Sequence, residues 1–310
     1  MKNVVVIGGG TGQSVILRGI KDIENIKLTT IVTVADDGGS TGRLRDAYQI
    51  PAMGDIRNVM IALAESETLL SSLMDFRFDG KGDLSGHNLG NLLLTALTQI
   101  SGNFLEAIQT FSRVLRVKGE IVPSTTQIVT LMAIMEDGTK VAGESNIPKF
   151  HNRIDKVYYD EKVYATKRAV SAITNADYII FGIGSLYTSI LPNIIIPEII
   201  SALKSSKAKT IYFCNAMSQP GETDHFTMED HVEALEKHTY KGIIDTVVTH
   251  NNILHEETLD RYRKQDSYPI WQAGNEHPYE VVKYNLLKFD DGLIRHDSMK
   301  IKRAFEEILK

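Results

Sequence analysis

The stretch VVVIGGGTG, residues 4–12, places a short apolar run directly before a glycine-rich loop. The all-apolar run 4–7 is typical of a strand in a parallel sheet that is covered on both faces. Residues 12–20 show helical spacing, so we predict that the loop leads into a helix. Backbone without side chains can approach a phosphate closely, and the unpaired N–H groups at a helix start favour anions. The opening of the chain therefore predicts a strand, a loop and a helix suited to a phosphorylated, nucleotide-like ligand.

Strand-like and helix-like segments alternate along the rest of the chain. The alternation predicts an α/β protein with a three-layer, Rossmann-like fold and a mostly parallel central sheet. We expect a single domain over residues 1–310, with its core roughly at 1–115 and 160–300 and a β-hairpin/helical insertion roughly at 116–160. We predict further buried strands at residues 27–35, 178–182, 210–214 and 245–249, helices at 55–63, 88–100, 104–115, 162–174, 229–238 and 298–309, and a β-hairpin over 127–143.

Composition and charge narrow the functional classes. The 310 residues are 43% hydrophobic and 24% charged, which is ordinary for a globular protein with a substantial core. The net charge of −5 argues against nucleic-acid binding, which usually needs a basic surface. The single cysteine, Cys214, excludes an internal disulfide and fits a reducing compartment. The start of the chain does not resemble a signal peptide, and the uncharged segment 178–197 is interrupted by glycines and prolines, so we predict no membrane span.

The first loop departs from the dinucleotide-binding fingerprint. That fingerprint reads G-x-G-x-x-G, and here Gln13 stands where the third glycine belongs. Asp36 ends the second strand, where an NAD site places its ribose-binding acid, and this keeps an NAD cofactor open. Asp36 is followed by Asp37 and two glycines, however, and adjacent carboxylates in a glycine-rich loop better suit Mg²⁺ or a substrate hydroxyl. A solvated turn that carries two acids is the structural alternative.

Several later segments carry polar residues beside glycines or at strand ends. Arg43 can hold a phosphate through paired donors, His87 can donate to a phosphate or act as an acid or base, and Asp55 is predicted to cap a helix. Loops at the carboxyl ends of parallel strands converge on one crevice, so we treat these segments as one site. The candidate ligand-binding residues are Gly9, Gly10, Thr11, Gly12, Gly39, Ser40, Arg43, Asp55, Asn58, His87, Asn91, Gly184, Ser185, Leu186, Asn215 and Thr223.

Six ordered motifs together resemble one bacterial family. They are GGGTG (8–12), ADDGGSTGRLR (35–45), PAMGDIRN (51–58), GHNLGN (86–91), GSLYTSILPN (184–193) and CNAMSQPGETD (214–224). In this order they resemble the YvcK family of gluconeogenesis factors, within the CofD-like superfamily, and the resemblance covers almost the whole chain. It implies a cytoplasmic protein needed for normal cell shape and for growth on gluconeogenic carbon sources. It also implies binding of a UDP-sugar, chiefly UDP-N-acetylglucosamine.

The resemblance also implies roles for particular residues. CofD transfers a phospholactate group from a guanosine diphosphate carrier to a deazaflavin alcohol with Mg²⁺. Its aspartate pair resembles Asp36 and Asp37, which would be the catalytic and metal-binding residues if this chain is an enzyme. The UDP-sugar contacts of the YvcK family resemble Tyr262 and Arg295, where a ring can stack on uracil and a guanidinium can bind the diphosphate. Residues 250–251, His and Asn at a strand end, are alternative contacts.

The sequence therefore predicts a regulatory protein that binds a UDP-sugar or a related nucleotide and acts on a protein partner that the sequence does not identify. The alternative is a Mg²⁺-dependent transferase that acts on a nucleotide-diphosphate-linked substrate. An NAD-dependent oxidoreductase is the least supported class, because the glycine spacing differs from that of NAD sites. We expect no nucleic-acid partner, and the sequence leaves a homo-oligomer open.

Overall fold

The computed structural model describes residues 1–65, 69–150, 152–290 and 292–310. In chain order, the strands in these ranges are β1 (Lys2–Gly8), β2 (Ile26–Val32), β3 (Glu120–Pro123), β4 (Leu131–Met135), β5 (Lys140–Ala142), β6 (Ile154–Tyr159), β7 (Tyr178–Phe181), β8 (Lys209–Phe213), β9 (Thr246–His250), β10 (Glu280–Tyr284), β11 (Leu287–Asp290) and β12 (Leu293–His296).

A seven-stranded sheet in the order β10-β9-β8-β7-β1-β2-β3 forms the centre of the fold. All of its strand pairs are parallel. Successive side chains of a strand point to opposite faces, and all four side chains of residues 4–7 are buried, so both faces of the sheet are covered there. The predicted three-layer, Rossmann-like α/β fold is confirmed.

The strand order reverses between β1 and β7. From β1 the chain adds β2 and β3 on one side, then returns to place β7 against the other side of β1. Ligands of open α/β sheets bind at such a switch point, outside the carboxyl ends of the strands. The loops that follow β1 and β7 are therefore the expected walls of a binding site.

The helices flank this sheet in two groups. Helices α3 and α12 both pack on α1, while α7 packs on α9 in the second group. A single π-helical turn, Leu186–Ile190, leads into α8. The helices are α1 (Gly10–Ile20), α2 (Gly39–Tyr48), α3 (Gly54–Leu63), α4 (Leu69–Asp75), α5 (Leu89–Ser101), α6 (Phe104–Val114), α7 (Lys167–Thr174), α8 (Leu191–Ile194), α9 (Pro197–Ser205), α10 (Met228–His238), α11 (Glu256–Arg263) and α12 (Ser298–Ile308).

Two small sheets extend the core. Strands β4 and β5 form the predicted hairpin, and β6 joins them on the other side of β4. Strand β3 also lies between residues 116 and 160, but it pairs with β2 at the edge of the central sheet. Strands β11 and β12 form a separate antiparallel hairpin near the carboxyl end of the chain.

The uncharged segment after β7 folds into short helices instead of one long one. Among the described residues, no single helix is long and apolar enough to cross a membrane. The pair Leu186–Ile194 and Pro197–Ser205 passes that test together by length and composition only, and it is bent by 75°.

Gln13 explains why the first loop lacks the third glycine of the dinucleotide fingerprint. The side chain is fully buried under the carboxyl ends of β1 and β2. Its Nε2 lies 3.1 Å from the carbonyl oxygen of Val6, 2.7 Å from the hydroxyl of Thr30 and 3.1 Å from the carbonyl oxygen of Ile31. One amide therefore ties helix α1 to the two strands that precede the glycine-rich loops.

We expect Gln13→Leu to lower the free energy of unfolding by roughly 1–3 kcal/mol, because buried acceptors would lose their donor. Urea unfolding followed by circular dichroism measures the change. Gln99→Leu, on the exposed side of α5, is the matched control and should change stability by less than about 0.5 kcal/mol. Equal effects of the two substitutions would contradict this structural role of Gln13.

Candidate functional site

A cavity of about 460 Å³ opens at the switch point between β1 and β7. Its size falls within the usual range of small-molecule sites. The loops after β1, β7 and β8 form most of its walls. One residue from the small β4–β5–β6 sheet region, one from α11 and two from β12 complete them. The lining residues are Gly9, Gly10, Thr11, Gly12, Glu144, Ile183, Gly184, Ser185, Thr188, Ser189, Asn215, Ala216, Met217, Gln219, Glu222, Tyr262, Ile294 and His296.

Close backbone contact holds the first two loops together. A side chain at Gly12 would overlap the carbonyl oxygen of Ile183 and the Cα of Gly184, so only glycine fits there. Asn215, in the loop after β8, accepts a hydrogen bond from the N–H of Gly184 at 3.1 Å and donates to its carbonyl oxygen at 2.8 Å. Three loops that are far apart in sequence therefore meet in one rigid wall.

The start of α1 faces this cavity, but an acid of the chain already meets it. Gly9 is the N-cap residue of α1 and has no side chain to accept a hydrogen bond from the first turn. The carboxyl group of Asp55 instead accepts a hydrogen bond from the N–H of Gly10. The expected helix cap by Asp55 is wrong, because α3 begins at Gly54 and Asp55 lies in its first turn. Its carboxyl serves the start of α1 instead.

Two carboxyl groups make one end of this cavity acidic. Both Ser185 and Thr188 donate from their hydroxyl groups to Glu222, and the bond from Thr188 measures 3.2 Å. Glu144 is also hydrogen-bonded to the Thr188 hydroxyl. Burial, then repulsion from Asp36 and other nearby acids, raises the pKa of Glu144 to about 8. Burial also raises the pKa of Glu222.

A second cavity, of about 510 Å³, continues from the first one. The two share Thr11, Gly12, Ile183, Tyr262, Ile294 and His296. The second cavity adds the basic side chains of Arg18, Lys288 and Arg295, together with Asp297, whose carboxyl group caps α12. Lys288 is paired with Asp290 at 3.6 Å, whereas no hydrogen bond or ion pair engages Arg18 or Arg295 in the described part of the chain. The cleft as a whole therefore has an acidic half and a basic half.

Tyr262 lies in the wall that the two halves share. Its hydroxyl accepts a hydrogen bond from the N–H of Ile294 at 2.8 Å and lies 3.2 Å from the carbonyl oxygen of the same residue. These bonds fix the end of the side chain on β12. The aromatic ring is therefore the part of Tyr262 that remains for contact with a ligand.

The structure brings about half of the predicted site residues to this cleft. The residues that line it are Gly9, Gly10, Thr11, Gly12, Gly184, Ser185, Asn215, Tyr262 and Arg295. The predicted residues that do not line either cavity are Asp36, Asp37, Gly39, Ser40, Arg43, Asp55, Asn58, His87, Asn91, Leu186 and Thr223, and the alternatives His250 and Asn251 do not line one either. Leu186 and Thr223 are fully buried.

Several of the remaining candidates form a polar network between α2 and α5. The hydroxyl of Ser40 lies 3.1 Å from Nδ1 of His87, and Asn91 donates to the hydroxyl of Thr41 at 3.2 Å. The Thr41 hydroxyl in turn hydrogen-bonds Asp36. These side chains bind one another and hold Asp36 in place behind the cavity.

Two more candidates are occupied by contacts within the chain. Arg43 donates to the carbonyl oxygen of Ser85 at 2.9 Å. Asn58 accepts a hydrogen bond from Arg57 at 2.6 Å. Arg43 therefore links α2 to the loop before α5, whereas Asn58 bonds its neighbour within α3, and neither side chain lines the cleft.

Comparison with known proteins shows which family the chain belongs to. Residues 4–287 match the family described as 2-phospho-L-lactate transferase CofD. A gluconeogenesis factor from Halalkalibacterium halodurans is 44% identical, with 99% of this chain and 96% of that protein covered. A gluconeogenesis factor from Bacillus subtilis is 42% identical, with 99% and 98% covered. A crystal structure of a UPF0052-family protein from Bacillus halodurans superimposes with a TM-score of 0.93 at 43% identity, and it covers 98% of this chain and 99% of its own.

The chain belongs to the YvcK family of gluconeogenesis factors, within the CofD superfamily. The resemblance drawn from the six motifs is confirmed. A match over nearly the full length of both partners also means that the cleft of this gluconeogenesis-factor family member is built from segments that its relatives share.

Asp36 and Asp55 are the carboxyl groups of this family member that best fit a bound cation. Asp36 accepts from the N–H of Gly38 at 2.9 Å, whereas Asp37 accepts from the N–H of Ser145 at 2.9 Å, so the two neighbours are held by different segments. Within the described ranges, no group of three or more His, Cys, Asp or Glu side chains is placed to hold a metal ion. Mg²⁺, however, is commonly held by one or two carboxylates together with ligand phosphates. Asp36 and Asp55 supply the two carboxylates of that requirement, although neither side chain lines one of the two cavities.

Residues that the sequence interpretation missed supply most of the cleft's charge. Glu144 follows the β4–β5 hairpin, and Arg18 lies in the last turn of α1, far from any glycine-rich motif. His296 ends β12, a strand that was not predicted. Gly143 precedes Glu144 and has a φ of 95°, so this glycine was a local sign of an unusual backbone beside Glu144.

Asp55 should make stability depend on pH. Burial, together with repulsion from Asp36, raises the pKa of Asp55 to about 7 from its ordinary value of 3.8. Between these values the unfolded chain has lost this proton while the folded protein keeps it, so the free energy of unfolding falls as the pH rises. We expect Asp55→Asn to remove on the order of 2 kcal/mol of this decline between pH 4 and pH 8.

Urea unfolding at several pH values, for the parent protein and the variant, measures this difference. Asp79→Asn, at an exposed position before α5, is the matched control and should leave the pH dependence unchanged. Parallel curves for the parent protein and Asp55→Asn would refute a protonated Asp55 near neutral pH.

Proposed function

We propose that the protein binds a UDP-sugar, with UDP-N-acetylglucosamine as the first candidate, and that ligand binding changes the activity of a protein partner. The observation that carries this is the cleft at the switch point, which joins a basic half and an acidic, hydroxyl-lined half with an aromatic ring between them. A nucleoside diphosphate sugar presents a base, two phosphates and a sugar in a row. Each of these groups has a suitable counterpart in the cleft.

The basic half suits the diphosphate. Arg18 and Arg295 are exposed and unpaired within the described residues, so ligand phosphates would meet guanidinium groups that have no other partner. Guanidinium groups hold phosphates through two parallel N–H bonds. The N–H groups of the first turn of α1 beyond Gly10 add a favourable dipole.

Tyr262 suits the uracil base. Its hydroxyl is engaged with Ile294, and the ring is left to stack on a flat partner. Stacking of a base on an aromatic side chain is worth roughly 1–3 kcal/mol. Tyr262 lines both cavities, so a base on its ring would lie beside phosphates in the second cavity. The ligand would then bend at its diphosphate, so that the sugar turns back past the shared wall into the first cavity.

A regulatory role agrees with the side chains around the cleft. Ser185, a hydroxyl in the cavity wall, is hydrogen-bonded to Glu222 and Thr188, and no histidine is bonded to it among the described residues. Among the described residues, the cleft therefore lacks a serine–histidine pair, and the hydroxyl of Ser185 is held by the buried carboxyl group of Glu222. Relatives named gluconeogenesis factor support a role in growth on gluconeogenic carbon sources. We include in the proposal a cytoplasmic location and a role in cell shape.

We expect the parent protein to give clear binding heat with UDP-N-acetylglucosamine and with UDP in isothermal titration. Tyr262→Ala should lower the affinity for both ligands by about tenfold or more, because the stacking surface is lost. Tyr262→Phe keeps the ring and should retain most of the affinity. Arg295→Ala should also lower the affinity for both ligands by roughly tenfold, because a charge-assisted contact is lost.

Arg303→Ala, at an exposed position of α12 away from the cleft, is the matched control. It should bind like the parent protein. Clear heat with NAD and none with either uridine ligand would disprove the proposed ligand class.

A Mg²⁺-dependent transferase is the second candidate, and the acid pair Asp36 and Asp55 favours it. Burial, and then repulsion from Asp36, raises the pKa of Asp55, and a cation at the pair would relieve that repulsion. A bound Mg²⁺ would neutralise charge on the phosphates of a nucleotide substrate. Asp36 and Asp55 would hold and orient it, while Arg18 and Arg295 would bind the carrier nucleotide.

Release of UDP from a UDP-sugar, with and without Mg²⁺, separates the two candidates. A regulatory protein should release no UDP above background. Turnover that needs Mg²⁺ and is lost in Asp36→Asn would favour the transferase.

A further inference from the structure

The two halves of the cleft should receive different parts of a ligand. Among the described residues that line the first cavity none is Lys or Arg, while the second cavity carries Arg18, Lys288 and Arg295. A diphosphate is repelled by carboxylates and attracted by guanidinium groups. The phosphates should therefore occupy the second cavity, and a sugar attached to them can extend into the first.

Glu144 is the acid in the first cavity that is available to a ligand. Glu222 is buried, and hydroxyl groups of Ser185 and Thr188 already donate to its two oxygens. Glu144 is only partly buried, and its hydrogen-bond partner in the chain is the Thr188 hydroxyl. With a pKa of about 8, the carboxyl group of Glu144 holds its proton near neutral pH, and its remaining lone pairs can still accept hydrogen bonds.

His296 lies where the two halves of the cleft meet. It lines both cavities and is 9% exposed. Its Nε2 has no hydrogen-bond partner among the described residues, but this atom is itself shielded from solvent. The ring of His296 therefore shapes the passage between the two halves and leaves Glu144 as the side chain that can contact a sugar.

We propose that Glu144 is the specificity-determining residue for the sugar. It accepts hydrogen bonds from sugar hydroxyl groups, and these bonds hold the sugar of the ligand in the first cavity. This inference rests on the proposed binding of a UDP-sugar. It adds a direction to the ligand, with the diphosphate beside Arg295 and the sugar beside Glu144. It also assigns the preference for a sugar nucleotide over the bare nucleotide to one side chain.

The experiment compares UDP, UDP-glucose and UDP-N-acetylglucosamine by isothermal titration. The parent protein should bind both sugar nucleotides more tightly than UDP. Glu144→Ala should reduce that preference by about tenfold for both sugars and change the affinity for UDP by less than about twofold, because the contacts proposed for UDP are with Tyr262, Arg18 and Arg295 and not with Glu144. Glu144→Gln keeps the shape of the side chain and one acceptor, so it should show a smaller loss and serves as the test if the alanine variant does not fold.

Glu233→Gln, at an exposed position of α10, is the matched control for Glu144→Gln and should leave all three affinities unchanged. Arg295→Ala should weaken the binding of UDP and of the sugar nucleotides by the same factor. This result would distinguish the contacts of the phosphates from those of the sugar.

Two results would overturn the assignment of Glu144 while the proposed function stands. One is an unchanged preference for sugar nucleotides in the Glu144 variants, and the other is an equal loss of UDP and sugar nucleotides. If the parent protein binds none of the three ligands, the proposed function fails and the role of Glu144 fails with it.

Discussion

The contact between the backbone of Gly12 and the carbonyl group of Ile183 sets the geometry of the cleft. It brings the loops after β1 and β7 together at the one place where the strand order reverses. Asn215 then ties the loop after β8 to the same point through two hydrogen bonds with Gly184. Both Gly12 and Ile183 line both cavities, so a side chain at position 12 would separate the walls of both. The shape of the binding region is therefore decided by backbone packing before any charged side chain contributes.

Two opposing effects act on the acid at the start of α1. The positive end of the α1 dipole attracts an anion, and Asp55 supplies one from inside the chain by accepting from the N–H of Gly10. Burial and the neighbouring Asp36 work against the charged form, so the pKa of Asp55 rises to about 7. Ligand phosphates would therefore meet a helix start that is already partly satisfied. This displaces the most favourable position for phosphate away from Gly10 and toward Arg18 and Arg295.

The sequence predicted the strands of the central sheet more fully than the chemistry of the site. Apolar runs identified β1, β2, β7, β8 and β9, because a strand buried on both faces has little choice of side chain. Both edge strands, β3 and β10, were missed. They have only four and five residues, and such short runs resemble ordinary loop. Gly12, Gly184 and Asn215 were found because loops at the ends of parallel strands carry a clear local pattern. Glu144 and Arg18 were missed, because what brings them to the cleft is tertiary packing, and neither the end of a hairpin nor the last turn of a helix marks a binding residue.

The same glycine-rich pattern has two different physical uses in this chain. The loop after β1 and the loop after β7 have glycines because two backbones approach each other at the cavity. In the second and fourth motifs, Ser40 and Thr41 instead turn to His87 and Asn91, and the network they form holds Asp36. Hydroxyl and amide groups serve equally well for a phosphate and for one another, so residue type alone does not separate the two uses. What separates them is position: only loops that leave adjacent strands at the switch point face the cleft, and the motifs further along α2 and α5 support it from behind.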